Sequence, residues 1–159
     1  MSTQVEHPGS GARMSVPDGW EVLSADDSDT VVALEPAVEG DEAFRANLVL
    51  SVVDNDGMSF RDWQTATDEV LPGLLEDYLL LDLEKRPVAG LAGGRRLAHH
   101  VSPDGVALTM EQWFTVVDGV GFTLTATVDS WRYDEWADEL SALADRLDLP
   151  AASADGVPA

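Results

Sequence analysis

Residues 108–128 constrain the fold more tightly than any other stretch: Leu-Thr-Met-Glu-Gln-Trp-Phe-Thr-Val-Val-Asp-Gly-Val-Gly-Phe-Thr-Leu-Thr-Ala-Thr-Val. Val120, Phe122, Leu124, Ala126 and Val128 alternate with Gly121, Thr123, Thr125 and Thr127. Successive strand side chains point to opposite sides of a sheet, so this segment is a strand with one apolar and one threonine-lined face. Asp118-Gly119 marks a hairpin turn between it and the preceding run. Opposed residues share a face, so pairing apolar with apolar predicts a three-residue loop, Val117-Asp118-Gly119, with Gly119 left-handed. That register sets Phe114 against Phe122 and Met110 against Ala126.

The chain of 159 residues has the length of one domain and room for a core. Thirty acidic residues stand against nine basic ones, a formal charge of −21. Such a field repels phosphate backbones and anionic lipid, and it suits either a basic protein partner or a plain solvated surface. No cysteine is present, which excludes disulfides, thiolate metal sites and a cysteine nucleophile. No apolar run approaches the roughly 20 residues of a membrane span, and residues 1–12 lack a signal-peptide pattern. A cytoplasmic protein without membrane insertion is the expectation.

Residues 1–12 and 150–159 read as flexible tails around a single domain, 13–149. Strands are predicted at 13–16, 20–23, 30–35 and 46–54. In the last, Leu48, Leu50 and Val52 face the core, and Val49 and Val53 imply cover on the other side. Ser59 is a helix N-cap, and Phe60, Trp63, Thr67, Val70 and Leu74 form an amphipathic stripe. Pro72 is expected to end or kink that helix near Val70. Leu79, Leu81 and Leu83 alternate as a strand. Residues 95–101 return, and a four-residue loop, Ser102-Pro103-Asp104-Gly105, sets Leu97 against Met110 and Arg96 against Glu111. Ser130 can cap a final helix whose core stripe is Trp136, Leu140, Leu143 and Leu147. The order predicts an α+β fold: a twisted, mainly antiparallel sheet flanked by two main helices.

Val16-Pro17-Asp18-Gly19-Trp20, Phe44-Arg45-Ala46-Asn47-Leu48, Gly90-Leu91-Ala92-Gly93-Gly94-Arg95-Arg96, Gln112-Trp113-Phe114 and Phe122-Thr123-Leu124-Thr125-Ala126-Thr127 occur in this order. Together with the closing amphipathic helix they resemble the PsbP-like superfamily, which includes DcrB-type, LpqN and Ran-binding Mog proteins. The resemblance covers residues 13–149. It implies an α/β/α sandwich that binds rather than catalyses, and it supplies no catalytic residues. The Eag chaperones of type VI secretion, a further similar group, hold apolar effector segments against such a sheet. Unlike LpqN, this sequence shows no lipobox cysteine.

The candidate chemistry is sparse. His99-His100 are strand neighbours facing opposite ways and cannot readily share a metal. Asp54-Asn55-Asp56-Gly57 echoes a calcium loop, but with Gly57 sixth the twelfth position is Trp63, where glutamate is required. Gly90 to Gly94 lacks the Lys-Ser/Thr of a phosphate loop, and no Gly-x-Ser-x-Gly elbow exists. No catalytic residue, metal ligand or cofactor is therefore assigned. The candidate binding residues are Trp113, Arg96, Glu111, Thr123, Thr125 and Thr127, expected together on the threonine face; the alternative is that a helix covers this face and Trp113 is second-layer core. They point to a non-enzymatic adaptor or chaperone for a protein partner, basic or a secreted effector. The alternative is a small-ligand carrier with a pocket between sheet and helices.

Overall fold

The computed structural model describes residues 1–24 and 29–149. Along the chain run β1 (Ser2–Glu6), β2 (Arg13–Pro17), β3 (Glu21–Ser24), β4 (Thr30–Leu34), β5 (Asn47–Asp54), α1 (Phe60–Leu74), β6 (Glu76–Lys85), β7 (Gly93–Val101), β8 (Ala107–Val117), β9 (Val120–Asp129) and α2 (Tyr133–Asp145). A single 3-10 turn, Ser130–Arg132, leads into α2. Strands β3 to β9 form an antiparallel sheet in the order β3-β4-β5-β9-β8-β7-β6, and β1 pairs with β2 separately. This is the expected α+β architecture.

The β8–β9 hairpin has a different register from the one expected. Val117 opposes Val120, Trp113 opposes Leu124 and Phe114 opposes Thr123, which leaves a two-residue turn. Asp118 and Gly119 both have positive φ, 51° and 79°. A type I′ turn demands this, and its twist matches that of the flanking strands. Pairing apolar with apolar failed here because both faces of β8 are covered. Trp113 and Val117 go one way, Met110 and Phe114 the other, and all four are buried. Phe114 and Phe122 therefore lie on opposite faces of the sheet.

The β7–β8 register also shifts by one. Val101 opposes Ala107 across a five-residue loop, with the Ser102 hydroxyl accepting from the Val106 N–H. Arg96 consequently meets Gln112, and Leu97 meets Glu111. The expected pairing of Arg96 with Glu111 is replaced by one between Arg95 and Glu111.

One face of the sheet buries Val31, Ala33, Leu48, Leu50, Trp113, Phe122, Leu124, Ala126 and Val128. Leu140, Leu143 and Ala144 of α2 pack on them, together with Met14 and Val16 of β2. The predicted α2 stripe thus reaches the core, but the cap differs. Asp129 accepts from the Trp131 N–H, while α2 itself starts at Tyr133 with Arg132 at its N-cap and no side-chain cap bond. Residues 2–6, expected in a flexible tail, are instead a strand hydrogen-bonded to β2. His7 follows it, buried, with Nε2 on the Asp29 carbonyl and Nδ1 on Ser10. Beyond α2, Asp148 exchanges backbone hydrogen bonds with Arg13. The expected tail at 150–159 lies outside the described residues.

On the opposite face α1 is seated by aromatic rings on glycines. A Cβ on Gly121 would sit 2.6 Å from the Trp63 ring, and one on Gly94 would sit 2.7 Å from Phe114. Glycine in a strand marks such a close approach. Phe60 stacks on Phe114 at 5.7 Å and Trp63 meets it edge-on at 6.2 Å. Ser59 caps α1 as predicted, accepting from the Asp62 N–H. Pro72 does not end the helix near Val70; it sits inside, and α1 continues to Leu74. A proline two residues from the end removes little, because the last turn holds through the Leu75 N–H to the Leu71 carbonyl.

At one end of the sheet Glu35 receives both Arg132 Nη groups. Its carboxyl is held below the usual range, first by the Arg132 hydrogen bonds.

Two outcomes follow from these contacts. Gly121→Ala should lower stability by about 1–3 kcal/mol in urea unfolding, because the indole above it cannot retreat without lifting α1. Glu35 titrates near 4.5 when unfolded and lower when folded, so its contribution is complete above 4.5 and lost as pH falls through the folded value. The stability gap between the native chain and Glu35→Gln should therefore shrink in urea melts taken below pH 4.5.

Candidate functional site

α1 lies over β6, β7 and β8 and reaches β9 at Gly121, beneath Trp63. Leu71 packs with Ala98 and Met110 there. On the remaining half, β3, β4 and β5 contribute no buried side chain to this face among the described residues. Strand pairing places Leu23, Val32, Val49 and Thr125 in one row across β3, β4, β5 and β9, flanked by Leu34, Asn47 and Thr127 and by Ser51 and Thr123. The cover implied by Val49 and Val53 is absent: Val49 is half-buried, and Val53 is exposed.

The predicted α1 stripe explains the boundary of this open half. At about 100° per residue, Trp63, Thr67, Val70 and Leu74 share one flank of the helix. Trp63 lies over Gly121 of β9, so this flank faces β9 and β5. Val70 and Leu74, 52% and 71% exposed, wall the open half-face instead of filling the space beneath the helix. At its end an apolar cleft of about 380 Å³ is lined by Phe44, Leu74, Leu75, His100, Pro103 and Leu108. Burial holds the His100 imidazole below its usual pKa, favouring the neutral ring.

The structure divides the six predicted residues. Thr123, Thr125 and Thr127 line the open half-face, half-buried. Arg96 shares their face but lies under α1, with its guanidinium 4.7 Å above the Phe114 ring. Its Nε and Nη2 donate to Asp68 Oδ1 of α1 at 3.0 and 2.6 Å, and Nη1 donates to Gln112 Oε1. Gln112 Nε2 then donates to Thr125 Oγ1 at 3.1 Å. A buried polar chain thus runs from the helix to the threonine row. Asp68, its helix end, and Gln112, its link to Thr125, are not singled out by the sequence; the two-residue hairpin register is what places Gln112 on this face.

Trp113 and Glu111 lie on the opposite face, a correction that follows directly from the two-residue turn. Trp113 is core, and its indole N–H has no partner among the described residues. Glu111 is buried between Arg95 Nε and the Tyr133 hydroxyl, which donates to it at 2.9 Å. Burial foremost, then the Glu111 charge, pushes the Tyr133 phenol up to about 12, so it remains a donor.

His99 and His100 point to opposite faces, and Asp54-Asn55-Asp56-Gly57 is a turn in which Asp54 Oδ1 accepts from the Asp56 N–H. Among the described residues no group of three or more His, Asp or Glu side chains is placed to hold a metal ion. No helix among them is long and apolar enough to cross a membrane.

No family model matches the sequence, nor does any curated protein. Solved structures share the fold. LpqN of Mycobacterium tuberculosis, involved in cell envelope biogenesis, is 15% identical over 94% of this chain and 90% of its own, with a TM-score of 0.63. Cyanobacterial PsbP from Synechocystis is 16% identical over 93% and 92%, with a TM-score of 0.63. The Ran-binding protein Mog1p of Saccharomyces cerevisiae is 14% identical over 95% and 86%, with a TM-score of 0.58. The fold is therefore the one the sequence resemblance implied, shared by LpqN, PsbP and Mog proteins.

Arg96→Ala should destabilise the chain by about 2–3 kcal/mol in urea unfolding. This is less than a fully buried pair costs, because Asp68 keeps part of its hydration. Gln112→Met, which removes a charge-assisted hydrogen bond from Arg96 and a neutral one to Thr125, should cost about 1.5–3 kcal/mol.

Proposed function

We propose that this chain is a non-catalytic binding protein, an adaptor or chaperone that engages a protein partner on the open half-face beside α1. The observation that carries the reading is the row of Leu23, Val32, Val49 and Thr125, walled by exposed Val70 and Leu74. Four strands offer apolar contact and a line of hydroxyls at once, a mixture suited to a protein surface that must also dissolve when free. The −21 charge favours encounter with a basic partner. The same fold occurs in Mog1p, a Ran-binding protein, which lends support to a protein ligand. The resemblance to Eag chaperones makes a secreted effector one candidate, met in the cytoplasm before export.

A second reading, a small-ligand carrier, draws on the apolar cleft beside Leu74, whose volume of about 380 Å³ lies at the lower end of ligand pockets. Native mass spectrometry of protein from its own cells would separate the two, since a carrier retains a small adduct and an adaptor does not.

Leu23→Arg and Val49→Arg place a charged side chain on the proposed surface without touching the core. Each should weaken capture of the partner recovered by the native chain from its own cell extract at low salt by at least about tenfold. Melting temperature should stay unchanged. Undiminished capture by both variants, or no partner above background for the native chain, would overturn the proposal.

A further inference from the structure

We propose that Trp131 is a preorganised anchor for an arginine- or lysine-bearing segment of a protein partner, on a surface separate from the half-face beside α1. Trp131 is 90% exposed, far beyond any other aromatic residue in the described chain. An indole left in water is costly for a chain to maintain, and an isolated flexible one would need no further account. Here the backbone that carries it is fixed on both sides. Asp129 Oδ1 accepts from its backbone N–H at 2.9 Å. The Ser130 hydroxyl before it bonds Thr109 Oγ1 of β8 at 2.8 Å. Arg132 after it is clamped in a two-pronged bond to Glu35 and lies 5.9 Å from the Trp136 ring. Trp136 in turn packs edge-on against Trp20 at 5.4 Å.

The backbone on both sides of Trp131 is thus tied to the sheet and to α2, while the ring itself packs against no other aromatic ring among the described residues. With the backbone already held, only the two side-chain torsions of the indole remain to be ordered on binding, a small entropy cost for a large contact area.

The surrounding charge selects the partner. Arg132 is committed to Glu35. Asp134 and Glu135, both exposed, follow one helical turn after Trp131, with Asp138 and Glu139 beyond them. A cation placed over the indole face gains from the ring quadrupole and from these carboxylates together. Phosphate-bearing partners are repelled by the same groups.

The test uses the full chain, an alternating glycine–arginine heptapeptide and its citrulline counterpart, which keeps the shape but removes the charge. The indole N–H resonance absent from the Trp131→Ala spectrum identifies this residue. Addition of the arginine peptide at low salt should move that resonance more than any other indole signal. Trp131→Ala should weaken binding at least about fivefold and Trp131→Tyr should retain most of it. The citrulline peptide should leave the resonance unmoved. Three results would each overturn the proposal: equal binding by Trp131→Ala, equal effect of the citrulline peptide, or a shift caused by phosphatidylcholine vesicles and not by the peptide.

Discussion

Asp118 and Gly119, two consecutive residues with positive φ, decide what every side chain of β8 touches. A strand has a period of two, so one residue more or less in the turn exchanges its two faces entirely. With two turn residues, Trp113 joins Leu124 beneath α2, and Phe114 joins Thr123 on the α1 face. Phe114 can then receive Phe60 and Trp63, and α1 has its seat. The twist of a type I′ turn suits paired strands, and Asp-Gly accepts the left-handed conformation at modest cost, so local geometry prevails over any gain from apolar matching.

From that register follow the divided roles of the α1 face. Gly94 and Gly121 let aromatic rings approach the sheet closely, which fixes α1 over β6, β7 and β8. Arg96, buried beneath it, bonds helix and sheet together through Asp68 and Gln112 and ends on the Thr125 hydroxyl. A buried guanidinium is tolerable only with such complete pairing. The helix cannot spread further, so Val70 and Leu74 are left on its flank and the β3–β4–β5–β9 half stays open. The proposed docking surface is therefore a consequence of how α1 is anchored.

Elements with a strong period were legible in the residues alone. The alternation in β9, the Ser59 cap and the Leu140–Leu143–Leu147 stripe all signal one structure, and the antiparallel α+β architecture came with them. Registers were less legible. In β8 both parities are apolar, so matching could not choose, and the error carried Trp113 and Glu111 onto the wrong face. The β7–β8 loop misled for a similar reason: matching Arg96 with Glu111 looked favourable, yet Arg95 satisfies Glu111 on the other face. The threonine row survived because its placement depends on β9 alone. β1 is not legible because Ser2–Glu6 has little apolar pattern of its own and is held by backbone pairing with β2, the next strand.

Since the chain contains no cysteine, paired cysteine substitutions report the β8–β9 register without interference. Gln112→Cys with Thr125→Cys sets two thiols opposite each other, whereas Glu111→Cys with Thr125→Cys sets them on opposite faces of the sheet. On mild oxidation the first pair should close to an intramolecular disulfide and the second should remain reduced. Closure of the 111–125 pair with failure of the 112–125 pair would contradict the two-residue turn, and with it the division of faces on which α1, the polar chain and the open half-sheet depend.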